Sequence, residues 1–331
     1  MRAWRFSEFG DILEQYKMVD VDRPVPEDGE VLIRLNYASI NPADRLLIEG
    51  LYPGAGELPL TVGRDGSGTV IGTSESSRFN VGDEVLILRS TVGITRQGTL
   101  AEYVTAGESV VAHVPEGWSM AETASAALVY LTAWKALVLQ GKLKEGETVL
   151  VTGATGGVGI AAVQLAKAMG ANVIAMTRDA AKGEKLRELG ADHIVDSATD
   201  DLAGALQSIA KDGISLIIEN IAGPELQSHI DVCGLNGRIM VIGLLAGRMS
   251  EINLGPVLFK QLRIEGVHVG KFVPNQAQEA WRRIVDILDN AGAKPLIAET
   301  FPMDQTLEAF DALRAGHMGK IVIQVDSLND E

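Results

Sequence analysis

The stretch Thr148-Val-Leu-Val-Thr-Gly-Ala-Thr-Gly-Gly-Val-Gly-Ile160 decides the fold. A short apolar run feeds a turn with four glycines, Gly153, Gly156, Gly157 and Gly159, and a helical pattern follows. A strand passing through such a turn into a helix is the context that a dinucleotide fingerprint requires. Missing side chains let the backbone approach a pyrophosphate, while free amides and the positive end of the helix dipole stabilise its charge. The candidate contacts are Ala154, Thr155, Gly156, Gly157, Val158 and Gly159. The match is imperfect: one register puts Ala154 at the first glycine, and another reads Gly157, Gly159 and Ala162. A tight turn without ligand is the competing reading, but four glycines weaken local stability unless close approach requires them.

Downstream, Asn172-Val-Ile-Ala-Met176, His193-Ile-Val195, Leu216-Ile-Ile218, Arg238-Ile-Met-Val-Ile242 and Ile264-Glu-Gly-Val267 are each separated by a helix-length segment. Together with Thr148–Val151 they make six strands, which predicts a parallel, doubly wound (Rossmann) sheet. The second strand selects the cofactor, because an acidic residue at its end would bind a ribose 2′-hydroxyl and repel a 2′-phosphate. It ends in Thr177-Arg178, with Lys182 one turn on, a set suited to the 2′-phosphate of NADP(H) in preference to NAD(H). Asp179 is the contrary signal, although it lies past the strand and suits a helix cap.

Upstream the first hundred residues read as β, with runs such as Val31–Leu35, Gly68–Ile71 and Glu84–Leu88 punctuated by Pro and Gly. Ser119 and Glu122 form a capping box, and one apolar helix is expected from Ala121 towards Gln140. After Gly270 the alternation stops: a helix over 276–290, a strand near Leu296, a helix over 307–315 and a strand over 320–325 return to the first domain. The predicted partition is a split domain over 1–122 and 272–331, with a nucleotide-binding domain over 123–271 inserted between its parts.

A length of 331 residues suits two domains, and 46% hydrophobic residues suffice to fill both cores. A formal charge of −15 argues against nucleic acid and anionic lipid as partners. The amino terminus lacks the apolar core of a signal peptide and no apolar run is long enough to span a bilayer, so a soluble, cytoplasmic protein is expected. A single cysteine, Cys233, excludes an internal disulfide and a cysteine-built zinc site; it is expected as a small buried thiol on a helix. The histidines His113, His193, His229, His268 and His317 show no ligand-like clustering and are expected to be structural or exposed.

Further segments fall in a fixed order: Ala38-Ser-Ile-Asn-Pro-Ala-Asp44, Gly50-Leu-Tyr-Pro53, Gly63-Arg-Asp-Gly-Ser-Gly68, Gly82-Asp-Glu-Val85, Leu131-Thr-Ala-Trp134, Gly190-Ala-Asp192 and Gly319-Lys-Ile-Val322. With the glycine turn they resemble, over almost the whole chain, the zinc-independent quinone oxidoreductase branch of the medium-chain dehydrogenase/reductase superfamily. The resemblance implies an α/β protein: a GroES-like, β-rich catalytic domain with an inserted Rossmann domain, often assembled as a homodimer. Zinc alcohol dehydrogenases of that superfamily carry a cysteine near Asn41, a histidine near Arg64 and a third ligand near Leu128. None of these is present here, so no metal is expected.

Without a metal, hydrogen-bond donors must orient the hydride acceptor and stabilise its developing charge. Tyr52, in a segment resembling the family's mobile loop, offers a phenolic donor. Asn41 resembles the residue beside the nicotinamide ring and Thr132 the hydroxyl that contacts it, while Asn220, Gly243 and Lys320 complete the cofactor contacts. Arg64 is either a cation for an anionic substrate group or the partner of Asp44 or Asp65 in an ion pair. The resulting expectation is NADPH-dependent hydride transfer to a quinone or α,β-unsaturated carbonyl. Reduction of enoyl thioesters and dinucleotide binding without turnover are the alternatives.

Overall fold

Residues 1–88, 91–198 and 201–325 are described by the computed structural model, and they divide into two compact units. One comprises Met1–Leu128, Gly270–Arg282 and the chain from Lys294 onward; the other comprises Val129–Val269 and Arg283–Ala293.

The first unit opens with a two-stranded ribbon, β1 (Arg2–Arg5) against β2 (Lys17–Asp20). Its main sheet begins with β3 (Glu30–Ser39), β4 (Asp65–Gly72), β5 (Glu84–Ile87), β6 (Tyr103–Gly107) and β7 (Val111–His113). Val31, Ile33 and Leu35 of β3 share one face of the strand and enter the core, while Glu30 and Leu32 on the other face are buried as well. They pack with Phe6, Leu47, Val62, Phe310 and Ile321 in a single apolar cluster.

The second unit holds six parallel strands: β8 (Thr148–Val151), β9 (Asn172–Thr177), β10 (His193–Asp196), β11 (Ile214–Glu219), β12 (Cys233–Val241) and β13 (Arg263–Gly266). Their spatial order is β10-β9-β8-β11-β12-β13, so the winding direction reverses between β8 and β11. Val149, Leu150 and Val151 are all fully buried, as are Ile217 and Ile218, because a parallel sheet is covered on both faces. The anticipated doubly wound sheet, inserted into a β-rich chain, is therefore present. Returning to the first unit, β14 (Ile297–Pro302) and β15 (Lys320–Gln324) complete its sheet in the order β14-β15-β3-β4-β5-β7, with β6 also on β3.

Two local expectations need correction. The expected helix from Ala121 to Gln140 is interrupted, running as Met120–Ala124 and Ala127–Trp134 before widening into π-helical turns over Lys135–Gln140. The Ser125 hydroxyl donates to Glu122 O at 2.7 Å and diverts the chain at that point. Cys233 is buried, but it opens β12 immediately after the helix Leu226–Val232 and does not sit within a helix. Among the described residues no helix is long and apolar enough to cross a membrane.

Candidate active site

The glycine turn is shaped by two residues that tolerate no side chain. Gly153 holds φ at +57°, a left-handed conformation that favours glycine, and a Cβ on Gly159 would lie 2.4 Å from Gly153 O. Ala154 explains its own departure from the fingerprint: it is fully buried and its N–H donates to Met176 O at 3.0 Å, tying the turn to β9. Gly156 precedes the helix Gly157–Ala168, and no side chain caps that helix. A Cβ on Gly156 would meet only Gly153 O, at 3.6 Å. The outer face of the turn is thus open, with the first amides of a twelve-residue helix behind it, and this geometry fits a pyrophosphate.

At the end of β9, Thr177 is buried and its Oγ1 accepts from Asp179 N–H at 3.1 Å, whereas Arg178 is exposed. Asp179 is committed locally, accepting from Ala181 N–H at 3.0 Å and facing the Lys182 ammonium at 3.4 Å. At the end of β11, Asn220 donates its amide to Thr152 O at 2.8 Å. A Cβ on Gly243 would lie 2.3 Å from Asn220 O, which brings the end of β12 against the same turn. Thr132 is buried in the helix Ala127–Trp134.

The remaining candidates converge in the first unit through sheet register. Ser39 of β3 stands opposite Asp65 of β4 and Val322 of β15, which places Asn41, Asp65 and Lys320 within reach of one another. Asn41 donates from Nδ2 to Asp65 Oδ2 at 2.9 Å and accepts at Oδ1 from Lys320 Nζ at 2.6 Å, so both ends of its amide are engaged. Lys320 also donates to Ile40 O at 3.0 Å, and its ammonium lies 3.7 Å from Asp65. Asp65 Oδ1 accepts from Leu128 N–H at 2.8 Å. Asp44, at the start of the helix Pro42–Ile48, accepts from Asn41 N–H at 2.9 Å and pairs with Arg64 Nε at 3.0 Å. Of the two carboxylates expected as partners for Arg64, Asp44 is the one it pairs with. The Arg64 Cζ lies over the Tyr52 ring, 4.4 Å from the centroid, and Tyr52 is half-buried against the core.

Two carboxylates and two cations are thus buried together, and burial disturbs them in opposite directions. Burial raises the Asp44 carboxyl above its usual range, assisted by the charge on Asp65 and opposed by Arg64 and Lys320. It lowers the Lys320 ammonium, against the support of Asp65 and Asp44. Among the described residues no group of three His, Cys, Asp or Glu side chains is placed to hold a metal ion. Sequence reasoning offered Asp65 only as a partner for Arg64, not for Asn41 and Lys320, and missed Thr152 and Glu219. A usable signal existed for Glu219, an acid directly after the apolar run Leu216–Ile218 at the carboxyl end of a buried strand.

Comparison with known proteins agrees with this architecture. The family model described as alcohol dehydrogenase GroES-like domain matches residues 27–116, and the one described as zinc-binding dehydrogenase matches residues 157–288. The quinone oxidoreductase of Lama guanicoe is 30% identical over 328 residues, covering 98% of this chain and 97% of the relative. A crystal structure described as an NAD-dependent alcohol dehydrogenase superposes with TM-score 0.89 at 28% identity, covering 98% of this chain and all of that one. The quinone oxidoreductase of Pseudomonas syringae pv. Tomato DC3000 superposes with TM-score 0.88 at 25% identity, covering 98% and 99%. Fold and site define an oxidoreductase with a GroES-like domain and a dinucleotide-binding Rossmann domain. The chain belongs to the medium-chain dehydrogenase/reductase superfamily, on its quinone oxidoreductase branch.

Proposed function

We propose that this protein reduces a quinone or an α,β-unsaturated carbonyl with NADPH and without zinc. The observation that carries the reading is the buried Arg64–Asp44 pair beside Asn41, Asp65 and Lys320, with Arg64 and Asn41 at two of the positions where, by the resemblance, metal ligands would stand. A guanidinium cannot ligate zinc, Leu128 offers no side-chain donor, and the Asn41 amide is already engaged at both ends, so this donor set does not fit the ion. Lewis-acid activation of an alcohol has no support there, and reduction of an already activated acceptor needs none.

When bound, the dinucleotide supplies the hydride. The turn from Gly153 to Gly159 binds its pyrophosphate through backbone amides, and Arg178, exposed at the end of β9 with no acid directly on the strand end, favours a 2′-phosphate. Lys320 and Asp65 hold the Asn41 amide in one orientation. Arg64, fixed by Asp44, packs on Tyr52 and steadies the phenol that donates a hydrogen bond to the acceptor oxygen as negative charge develops. In this reading 1–122 and 272–331 serve the acceptor and 123–271 the cofactor. The homodimer has a candidate face in the exposed Leu244, Leu245, Met249, Leu254, Leu258 and Phe259 of the second unit. Light scattering of the purified protein at twice the chain mass checks that assembly.

Turnover of NADPH against panels of quinones, enones and 2-alkenals tests the activity, and no acceptor reduced above the buffer rate would sink it. Tyr52→Phe is expected to slow enone reduction about tenfold or more and quinone reduction less, because a quinone anion needs less proton assistance. Equal losses on both substrates would remove the proposed role of the phenol.

A further inference from the structure

Glu219 closes β11 where the strand order reverses, and its carboxylate is engaged from four directions. Oε1 accepts from the Thr152 hydroxyl at 2.9 Å and from the N–H groups of Ile221 and Ala222 at 2.9 and 2.8 Å, while Oε2 meets His229 Nδ1 at 2.5 Å. Both ionisable side chains are completely buried. Burial pushes the Glu219 carboxyl up, but the contact with His229 and the two backbone donors outweigh this and hold it below the usual carboxylate range. Thr152 Oγ1 in turn accepts from Asn220 N–H at 2.8 Å, and Glu219 O accepts from Ile242 N–H at 2.8 Å. One buried residue therefore ties together the ends of β8, β11 and β12.

The turn it clamps is strained. Ala222 holds φ +55° and ψ −143°, a conformation that a residue with a side chain keeps only where its surroundings over-determine it. The hydrogen bond from Ala222 N–H to Glu219 supplies that constraint. Among the described residues His229 Nε2 is buried without a partner, so the ring's polar contact is with Glu219. In a doubly wound sheet the end of the second strand faces the adenosine ribose, which assigns the half β8 to β10 to the adenosine side. The half β11 to β13, including Asn220–Ala222, is left for the other nucleotide.

We infer that Glu219, Thr152 and His229 are positioning residues for the nicotinamide half of the dinucleotide, holding the strained Asn220–Ala222 turn on which that half is seated. The inference rests on the dinucleotide reading above, and two probes separate them. Calorimetry on the full chain compares NADPH with 2′-phospho-ADP-ribose, which lacks the nicotinamide, and repeats the comparison with NADH and ADP-ribose.

Thr152→Val and His229→Gln are expected to raise the Kd for the complete dinucleotide about tenfold, the loss of roughly one buried hydrogen bond. The truncated probe should stay within about twofold, since its adenosine contacts are untouched. Thr152→Ser, which keeps the hydroxyl, should restore full affinity. A role in stability alone would lower Tm and leave the ratio of the two affinities unchanged. Equal weakening of both probes, or no change in either, overturns the inference while leaving the dinucleotide reading intact. A wild-type protein that binds neither probe overturns both. Should His229→Gln fail to fold, the nearly isosteric Thr152→Val carries the test.

Discussion

Lys320 and Cys233 show how differently burial acts on single residues. Lys320 is buried because two carboxylates, Asp44 and Asp65, and the Asn41 amide share its surroundings. Lys320→Met leaves those carboxylates with Arg64 alone, and an uncompensated buried charge of this kind costs about 3–5 kcal/mol. Thermal unfolding should therefore register a large loss for Lys320→Met, with part of it recovered in Lys320→Met/Asp65→Asn, where the charges again balance. A single variant as stable as wild type would contradict the assigned network. Cys233 has no such compensation: burial pushes its thiol up to about 12, against weak support from Lys260 and Arg238. Because the thiolate is the reactive form, Cys233 in the folded protein should resist a disulfide exchange reagent at pH 8 and react at once in denaturant. Rapid labelling of the native protein would show that the helix Leu226–Val232 does not seal it.

Elements add a distinction between glycines that residue types alone cannot make. Gly159 and Gly156 belong to one turn, yet an alanine methyl at Gly159 would collide with backbone at 2.4 Å, while at Gly156 it would make only an ordinary contact at 3.6 Å. Gly159→Ala should therefore lower Tm and abolish dinucleotide binding together. Gly156→Ala should leave Tm near wild type and weaken binding about tenfold or more, because its methyl projects where a phosphate approaches the helix amides. Matched losses in the two variants would mean that the open face of the turn is not where the ligand binds. The six strands of the second unit were legible because each is a short apolar run between breakers, as buried parallel strands must be. The pairing of Arg64 with Asp44 was legible as one of two options. The grip of Lys320 and Asp65 on Asn41 was not, since it joins residues 279 and 24 positions apart and exists only once β15, β3 and β4 are in register. The break at Ser125 was equally hidden, because a serine side chain competing for a backbone carbonyl leaves the apolar pattern around it unchanged.

For the whole molecule the governing quantity is the balance between its net charge and its paired carboxylates. The formal charge of −15 is self-repulsive at neutral pH, and that repulsion relaxes as the pH falls towards the pI of about 4.8. Asp44, raised by burial, acts in the same direction, since its folded form takes up a proton before the unfolded form does. Glu30, Glu102, Glu147, Asp192 and Glu219 act in the opposite one. For each, burial pushes the carboxyl up, but a bond to Arg96, Arg2, Arg238, Lys167 or His229 respectively, with further help from backbone donors, holds it below its usual range. Their unfolded forms bind protons near pH 4 while the folded forms do not, so the stability they contribute is complete above that pH and is lost as the pH falls through the lowered values. Tm should therefore be level or rise slightly from pH 7.5 to about 5 and fall steeply below about 4. Thermal scans from pH 3 to 8 at fixed ionic strength check both limbs. A steady decline already between pH 7.5 and 5, where those pairs are still intact, would show that relief of charge repulsion and protonation of Asp44 do not set that limb. Undiminished stability at pH 3 would show that the five pairs contribute nothing to the folded state.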